Sequence, residues 1–183
     1  MIKNIIFDFN GVLCNSYFYL PLQKSHPHYY QNISENIFRN KEYKNIIKSW
    51  MRGCMTYKEV NKCISKDLNI PEDLLNKTLV DGIKDMILEV EFLDLIKKLK
   101  NNNKKTFLLT DNMDVFDKYI VDYHNLNQYF DAIYSSSQIG LLKRDKVGEI
   151  FNILIKKNNL KPEECLMIDD SDPNEDILTR IGI

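Results

Sequence analysis

The chain has 183 residues, a length that suits one domain or one domain carrying a modest insertion. It is 44% hydrophobic and 28% charged, with 25 basic against 26 acidic side chains, so it can bury a core but offers no basic field to hold a nucleic acid. No apolar run approaches the roughly 20 residues of a membrane span, and Asp8 interrupts the N-terminal stretch where a signal peptide needs an unbroken one.

In chain order, Ile5-Ile6-Phe7 is a short apolar run ended by Asp8 and the turn-prone Asn10-Gly11. It predicts a strand buried on both faces, as in a parallel sheet. Residues from about 16 to 90 lose that character. They are helical in pattern and rich in aromatics, including Tyr17, Phe18, Tyr29, Tyr30, Phe38, Tyr43 and Trp50. Glu59, Val60, Cys63 and Ile64, then Leu74, Leu75, Leu79 and Ile83, predict amphipathic helices, one of them started by Pro71 with Glu72-Asp73 in its first turn. Phe92, Leu95, Ile96 and Leu99 predict another, running out at Asn101-Asn102-Asn103.

Lys105 to Thr110 reads as a second strand, ending in Thr110-Asp111-Asn112, and Asp131 to Tyr134 as a third, followed by the serines Ser135 to Ser137. Val147, Ile150, Phe151 and Leu154 give a helical stripe that ends near Asn158-Asn159. Glu164 to Ile168 is the last strand, ending in Asp169-Asp170-Ser171. Strands alternating with helices predict an α/β fold, a Rossmann-like parallel sheet flanked by helices. Its core is expected from residues 1–15 and 91–183, with 16–90 as an inserted helical domain. The scattered cysteines Cys14, Cys54, Cys63 and Cys165 form no CxxC pair and read as reduced thiols of a cytoplasmic protein.

Three strands thus end in polar residues: Asp8 with Asn10, Thr110 with Asp111 and Asn112, and Asp169 with Asp170. Ligands of open parallel sheets bind beyond the carboxyl ends of the strands. If these strands are neighbours, up to four carboxylates and a hydroxyl converge there and repel one another strongly. A divalent cation relieves that repulsion, and an all-oxygen donor set favours Mg²⁺ over zinc. Lys143, after Gly140-Leu141-Leu142, is placed to bring a compensating charge to an oxyanion, with Lys146 as the alternative.

FDFNGVL, LLTDN, Gly140-x-x-Lys143 and MIDDSDPN resemble, in that order, the four motifs of the haloacid dehalogenase superfamily of hydrolases, and the resemblance covers nearly the whole chain. The helical insertion matches the position of a C1-type cap, and Trp50 to Glu59 resembles a recurrent segment of such caps. The resemblance implies phosphoryl transfer from a small phosphorylated metabolite through an aspartyl-phosphate. It casts Asp8 as nucleophile, Thr110, Asp111 and Asn112 as the phosphate-holding segment, and Lys143 as the stabiliser of the transferring group. Asp8, the backbone carbonyl of Asn10, Asp169 and Asp170 are then the Mg²⁺ ligands.

Asn10 departs from that pattern. In phosphatases of the superfamily this position is usually a second aspartate, which protonates the leaving alcohol and then activates water. An amide forms hydrogen bonds but transfers no proton at neutral pH, and general acid–base catalysis is typically worth about 10²–10⁴-fold. A substrate with a good leaving group, a proton donor elsewhere, ligand binding without turnover, and a deliberate substitution are all compatible with Asn10. The dehalogenase branch also lacks the second acid, but Asp169-Asp170 has no role in halide displacement and favours phosphate.

The remaining candidates read more plainly. His26 and His28 are expected at a loop edge of the helical block, His124 and Trp50 in structural roles, and Arg52 as a secondary candidate for the distal end of a substrate. Asn174 is a candidate to orient the Asp169 loop. Family members usually continue beyond the fourth motif with a further strand and helix, so the sheet is expected to lack an edge element.

Overall fold

Every predicted apolar run that ends in an acid or a hydroxyl forms a strand in the computed structural model, which describes residues 1–171 and 175–183. Asn174 lies outside the described residues. β1 (Asn4–Phe7) leads into helices α1 (Leu20–Ser25) and α2 (Pro27–Ile33), each with a proline in its first turn, where a missing N–H leaves nothing unpaired. A wide turn over Ser34–Phe38 follows, closed by the Arg39 N–H donating to the Ser34 carbonyl at 3.1 Å. Next come α3 (Lys44–Met51), α4 (Tyr57–Leu68), α5 (Glu72–Lys84) and α6 (Val90–Asn101).

α4 begins with a capping box: Thr56 accepts from the Glu59 N–H, and Glu59 returns a bond to the Thr56 N–H at 2.8 Å. α5 enters from Pro71 with Glu72 and Asp73 in its first turn, where acids meet the positive end of the helix dipole. The second half of the chain holds β2 (Lys105–Thr110), a short α7 (Val121–Tyr123), β3 (Ala132–Ser135), α8 (Ser136–Ile139), α9 (Glu149–Lys157), β4 (Cys165–Ile168) and α10 (Glu175–Ile181).

The four strands pair in parallel in the order β3-β2-β1-β4. Alternation along β1 explains how both faces are filled. Ile5 and Phe7 join a buried cluster with Leu108, Ile96 and the helical block's Trp50, Leu75 and Ile83, while Ile6 joins a second with Phe107, Leu109, Phe151 and Leu154. One face of the sheet and the helical block therefore share a continuous apolar core. β4 pairs with β1 alone among the described strands, and its Leu166 is 47% exposed.

Two local details differ from the periodicity reading. Val147 is 58% exposed and precedes α9 instead of continuing its apolar stripe. Lys146, Val147 and Gly148 have φ of 46°, 57° and 82°, a left-handed run that breaks the helical pattern there. The serines after β3 start a helix: Ser135 caps α8, its hydroxyl accepting from the Gln138 N–H at 3.2 Å.

Candidate active site

The register brings the strand ends together. Phe7 pairs with Leu108 on one side and Ile168 on the other, so Asp8, one residue on, emerges between the ends of β2 and β4. Its N–H donates to the Ile168 carbonyl at 2.9 Å, which holds it against the turn that carries Asp169. Asp8, Asp169 and Asp170 each offer a carboxylate oxygen within 4.8 Å of the others.

Gly11 makes this close approach possible. Its φ is +79°, which L-residues adopt at a cost, and a Cβ placed there would stand 2.3 Å from the Asp170 carboxyl carbon. The glycine of the first motif therefore both permits the turn and leaves room for the third acid.

Lys143 is the counter-charge. It is 2% exposed, and its ammonium lies 2.6 Å from Asp8 Oδ2 and 2.7 Å from Asp169 Oδ2. Lys146, the alternative, is on the surface beside Glu149 at 3.2 Å. Burial pushes the Asp8 carboxyl above the usual carboxylate range, and the Lys143 ammonium opposes it. For Lys143 burial works against the charge, but Asp8 and Asp169 outweigh it and raise its pKa. Three carboxylates and one ammonium leave two negative charges uncompensated, which fits one divalent cation held by oxygen ligands.

Thr110 ends β2, the strand next to that of Asp8. It is fully buried, and among the described residues its Oγ1 has no hydrogen-bond partner. An unmet buried hydroxyl costs about 1–3 kcal/mol, a cost that an acceptor reaching this atom would relieve.

Asp111 and Asn112 carry other engagements. Asp111 Oδ1 accepts from the Lys143 backbone N–H at 2.8 Å, fixing the loop that delivers the lysine. Burial pushes the Asp111 carboxyl up to about 6 despite the help of Lys143. The Asn112 backbone N–H donates to Ser136 Oγ at 2.9 Å. Its side chain sets the orientation of Asn10: Asn112 Oδ1 accepts from the Met113 N–H at 2.9 Å, so Asn112 Nδ2 is the atom that donates to Asn10 Oδ1, at 3.1 Å. Asn10 is left with its Nδ2 hydrogens for whatever occupies the adjoining cavity.

That cavity, of about 530 Å³, opens from Asn10 into the helical block between Tyr17, Phe18, Tyr30, Phe38 and Arg39. Arg52 does not reach it. Its guanidinium pairs with Asp145 through two bonds of 2.7 Å, tying the turn after α3 to the loop after Lys143. Trp50 Nε1 donates to Asp114 at 2.6 Å and Ser136 Oγ to the Met51 carbonyl at 2.6 Å, so the Trp50–Gly53 turn is seated on the core. Sequence reasoning missed these partners. Arg52 and Asp145 are 93 residues apart, and a lone charge in each loop carries no local signal. His124 Nε2 meets the Ile83 carbonyl at 2.9 Å, while His26 and His28 pack around Tyr29, away from the acids.

A parallel sheet with converging acids at its carboxyl ends, flanked by helices, defines an α/β protein with its site at the strand ends. The chain belongs to the haloacid dehalogenase-like hydrolase family, whose sequence profile matches residues 2–179. Among solved structures, it is similar to the HAD family enzyme bt-2542 from Bacteroides thetaiotaomicron, at 23% identity and a TM-score of 0.79, covering 100% of this chain and 91% of that one. A complex of the same bacterial protein with magnesium and inorganic phosphate matches at 22% identity and TM-score 0.74, over 100% and 92% of the two chains. L-2-haloacid dehalogenase from Xanthobacter autotrophicus shares the fold at 15% identity and TM-score 0.68, over 100% and 76%. No curated protein matches the sequence. No described helix is long and apolar enough to cross a membrane.

Proposed function

We propose that this hydrolase is Mg²⁺-dependent, acts in the cytoplasm on a small phosphorylated metabolite, and works through an aspartyl-phosphate on Asp8, with residues 16–90 as a cap that sets specificity. The observation that carries the reading is the charge excess at Asp8, Asp169 and Asp170, which one buried ammonium leaves incomplete. The donor set fits Mg²⁺: three carboxylates, joined by the Asn10 backbone carbonyl. Bound there, the ion would neutralise charge and orient a phosphate for in-line attack. The unpartnered Thr110 hydroxyl supports the same ligand, as a donor for a phosphoryl oxygen.

In this reading an Asp8 oxygen attacks phosphorus while Lys143 holds the carboxylate in place and meets the transferring oxygens. Asp111 and Asn112 act one step removed, the first on the Lys143 loop and the second on the Asn10 amide. Asn10 donates a hydrogen bond to the departing oxygen without giving up a proton, so chemistry continues at a reduced rate. Halide displacement is the weaker reading, since it leaves the Asp169–Asp170 pair without a use.

Phosphate release from a panel of phosphorylated metabolites, with Mg²⁺ and with chelator, tests the reading. Release that needs the metal and is abolished in Asp8→Ala is expected. If the protein and its Asn10→Asp variant are both inert across the panel, the chain is a binding protein on a hydrolase scaffold.

A further inference from the structure

Two observations made on different elements meet in the cavity above Asn10. The first is chemical. Asn10, which lines the cavity, is an amide fixed by Asn112 and has no proton to give; in the hydrolase reading it is the residue beside the departing oxygen. An alkyl alcohol, with a pKa close to the value of about 15.7 for water, leaves poorly without protonation, whereas a phenolic oxygen, with a pKa of about 10, leaves as the anion.

The second is the lining. Four rings, Tyr17, Phe18, Tyr30 and Phe38, surround the cavity, and Arg39 is its one charged residue among the described ones. Two of the rings, Phe18 and Phe38, are set in place by buried neighbours. Tyr19, fully buried, has φ 61° and hydrogen-bonds through its hydroxyl to Asn61; this left-handed residue turns the chain directly after Tyr17 and Phe18. Phe18 packs 6.2 Å from Trp50 and Phe38 6.3 Å from Tyr19, both partners fully buried. Tyr17 remains 71% exposed, and among the described residues it makes no hydrogen bond or ring contact and no acid pairs with Arg39. Such walls suit a flat ring, and the free guanidinium suits an anionic group on it.

Resting on the hydrolase reading above, we infer that the substrate is the phosphate ester of a ring hydroxyl, an aryl or heteroaryl phosphate carrying an anionic substituent. In the first step Asp8 forms an O–P bond as the aryl O–P bond breaks. The aryl oxygen departs with the bonding pair as a phenolate hydrogen-bonded by Asn10, and takes its proton from solvent. Water then attacks phosphorus, the bond to Asp8 breaks and returns its pair to the carboxylate, and the proton released goes to solvent. The missing acid and the aromatic walls are thus two parts of one specificity.

Three probes separate the parts: phenyl phosphate has the ring and the good leaving group, benzyl phosphate the ring alone, and acetyl phosphate the leaving group alone. The protein is expected to favour phenyl phosphate over each of the others by at least about tenfold in kcat/KM. Asn10→Asp is expected to raise benzyl phosphate turnover by about 10²-fold or more. Phe38→Ala is expected to lower the phenyl-to-acetyl ratio by about tenfold, and Arg39→Gln to remove a preference of about fivefold for a carboxylated phenyl phosphate. Equal rates on phenyl and benzyl phosphate, or an unchanged phenyl-to-acetyl ratio in Phe38→Ala, overturn the inference while the hydrolase reading stands. If neither the protein nor Asn10→Asp cleaves any of the three, this inference falls, and the hydrolase reading falls with it only if both are also inert across the panel of phosphorylated metabolites.

Discussion

Replacing Lys143 by methionine keeps the aliphatic stem and removes the ammonium. In the structure Lys143 is 2% exposed, and its ammonium stands 2.6 Å and 2.7 Å from the carboxylates of buried Asp8 and part-buried Asp169. Taking one partner from a buried pair leaves an uncompensated charge, at a cost of about 3–5 kcal/mol. That is a large share of the roughly 5–15 kcal/mol that holds a domain folded. Urea unfolding in chelator should therefore show a fall in ΔG of that size, with an unchanged dependence on denaturant concentration. A metal ion adds stability as RT ln(1 + [L]/Kd), about 2.7 kcal/mol at a hundredfold excess over Kd. With the ammonium gone, the acids have more uncompensated charge, so Mg²⁺ should stabilise Lys143→Met by more than it stabilises the unmodified protein. A loss below about 1 kcal/mol in chelator, or an equal Mg²⁺ increment in both proteins, would refute the claim that Lys143 is the site's internal counter-ion.

Three further outcomes are expected. Gly11→Ala places a methyl 2.3 Å from the Asp170 carboxyl carbon, so a Mg²⁺ titration should show at least about tenfold weaker binding, alongside about 1–2 kcal/mol of backbone destabilisation; an unchanged affinity would remove Asp170 from the metal site. Asp111 is pushed up to about 6, so the folded state holds its proton more tightly than the unfolded chain, and its contribution, full in acid, is lost as pH rises through about 6. Asp111→Asn can keep the bond from the Lys143 N–H and should lack that decline, ending near pH 8 more stable than the parent by up to about 3 kcal/mol; parallel stability curves from pH 4 to 8 would contradict it. A double-mutant cycle of Arg52→Ala and Asp145→Ala, across two bonds of 2.7 Å, should return a coupling of about 1 kcal/mol, and a value near zero would deny the pair a part in joining the helical block to the Lys143 loop.

The sheet was legible because its signals are local. Ile5 to Phe7 and Lys105 to Thr110 are apolar runs stopped by an acid or hydroxyl, and each became a strand with its polar residue at the carboxyl end. Of the two lysines, Lys143 lies buried against Asp8 and Asp169, and Lys146 lies on the surface beside Glu149. Val147 misled because its apolar side chain extended the α9 stripe, while the left-handed run at 146–148 is set by the loop and leaves no trace in periodicity. On sequence Arg52 reads as a candidate for the distal end of a substrate, but its partner lies 93 residues away, and tertiary pairing of this kind is invisible to any window. The cavity stayed hidden for a like reason. Tyr17, Phe18, Tyr30 and Phe38 share no helical or strand period, and only the turn at Tyr19 and the packing on Trp50 bring them to one wall. The part of Asn112 in orienting Asn10 likewise depends on a contact 102 residues apart.

The central claim is that Asp8 takes the phosphoryl group and that Asn10 slows its release. The most direct test is to mix the protein with Mg²⁺ and phenyl phosphate, quench in acid, and map phosphorylated peptides by mass spectrometry. The account predicts a phosphoryl group on Asp8 that accumulates in the protein as it stands, because no side chain at position 10 activates water. The same adduct should be scarce at steady state in Asn10→Asp, where release gains about 10²–10⁴-fold. Phosphate released with no adduct on Asp8 in either protein, or an adduct on another residue, would contradict it.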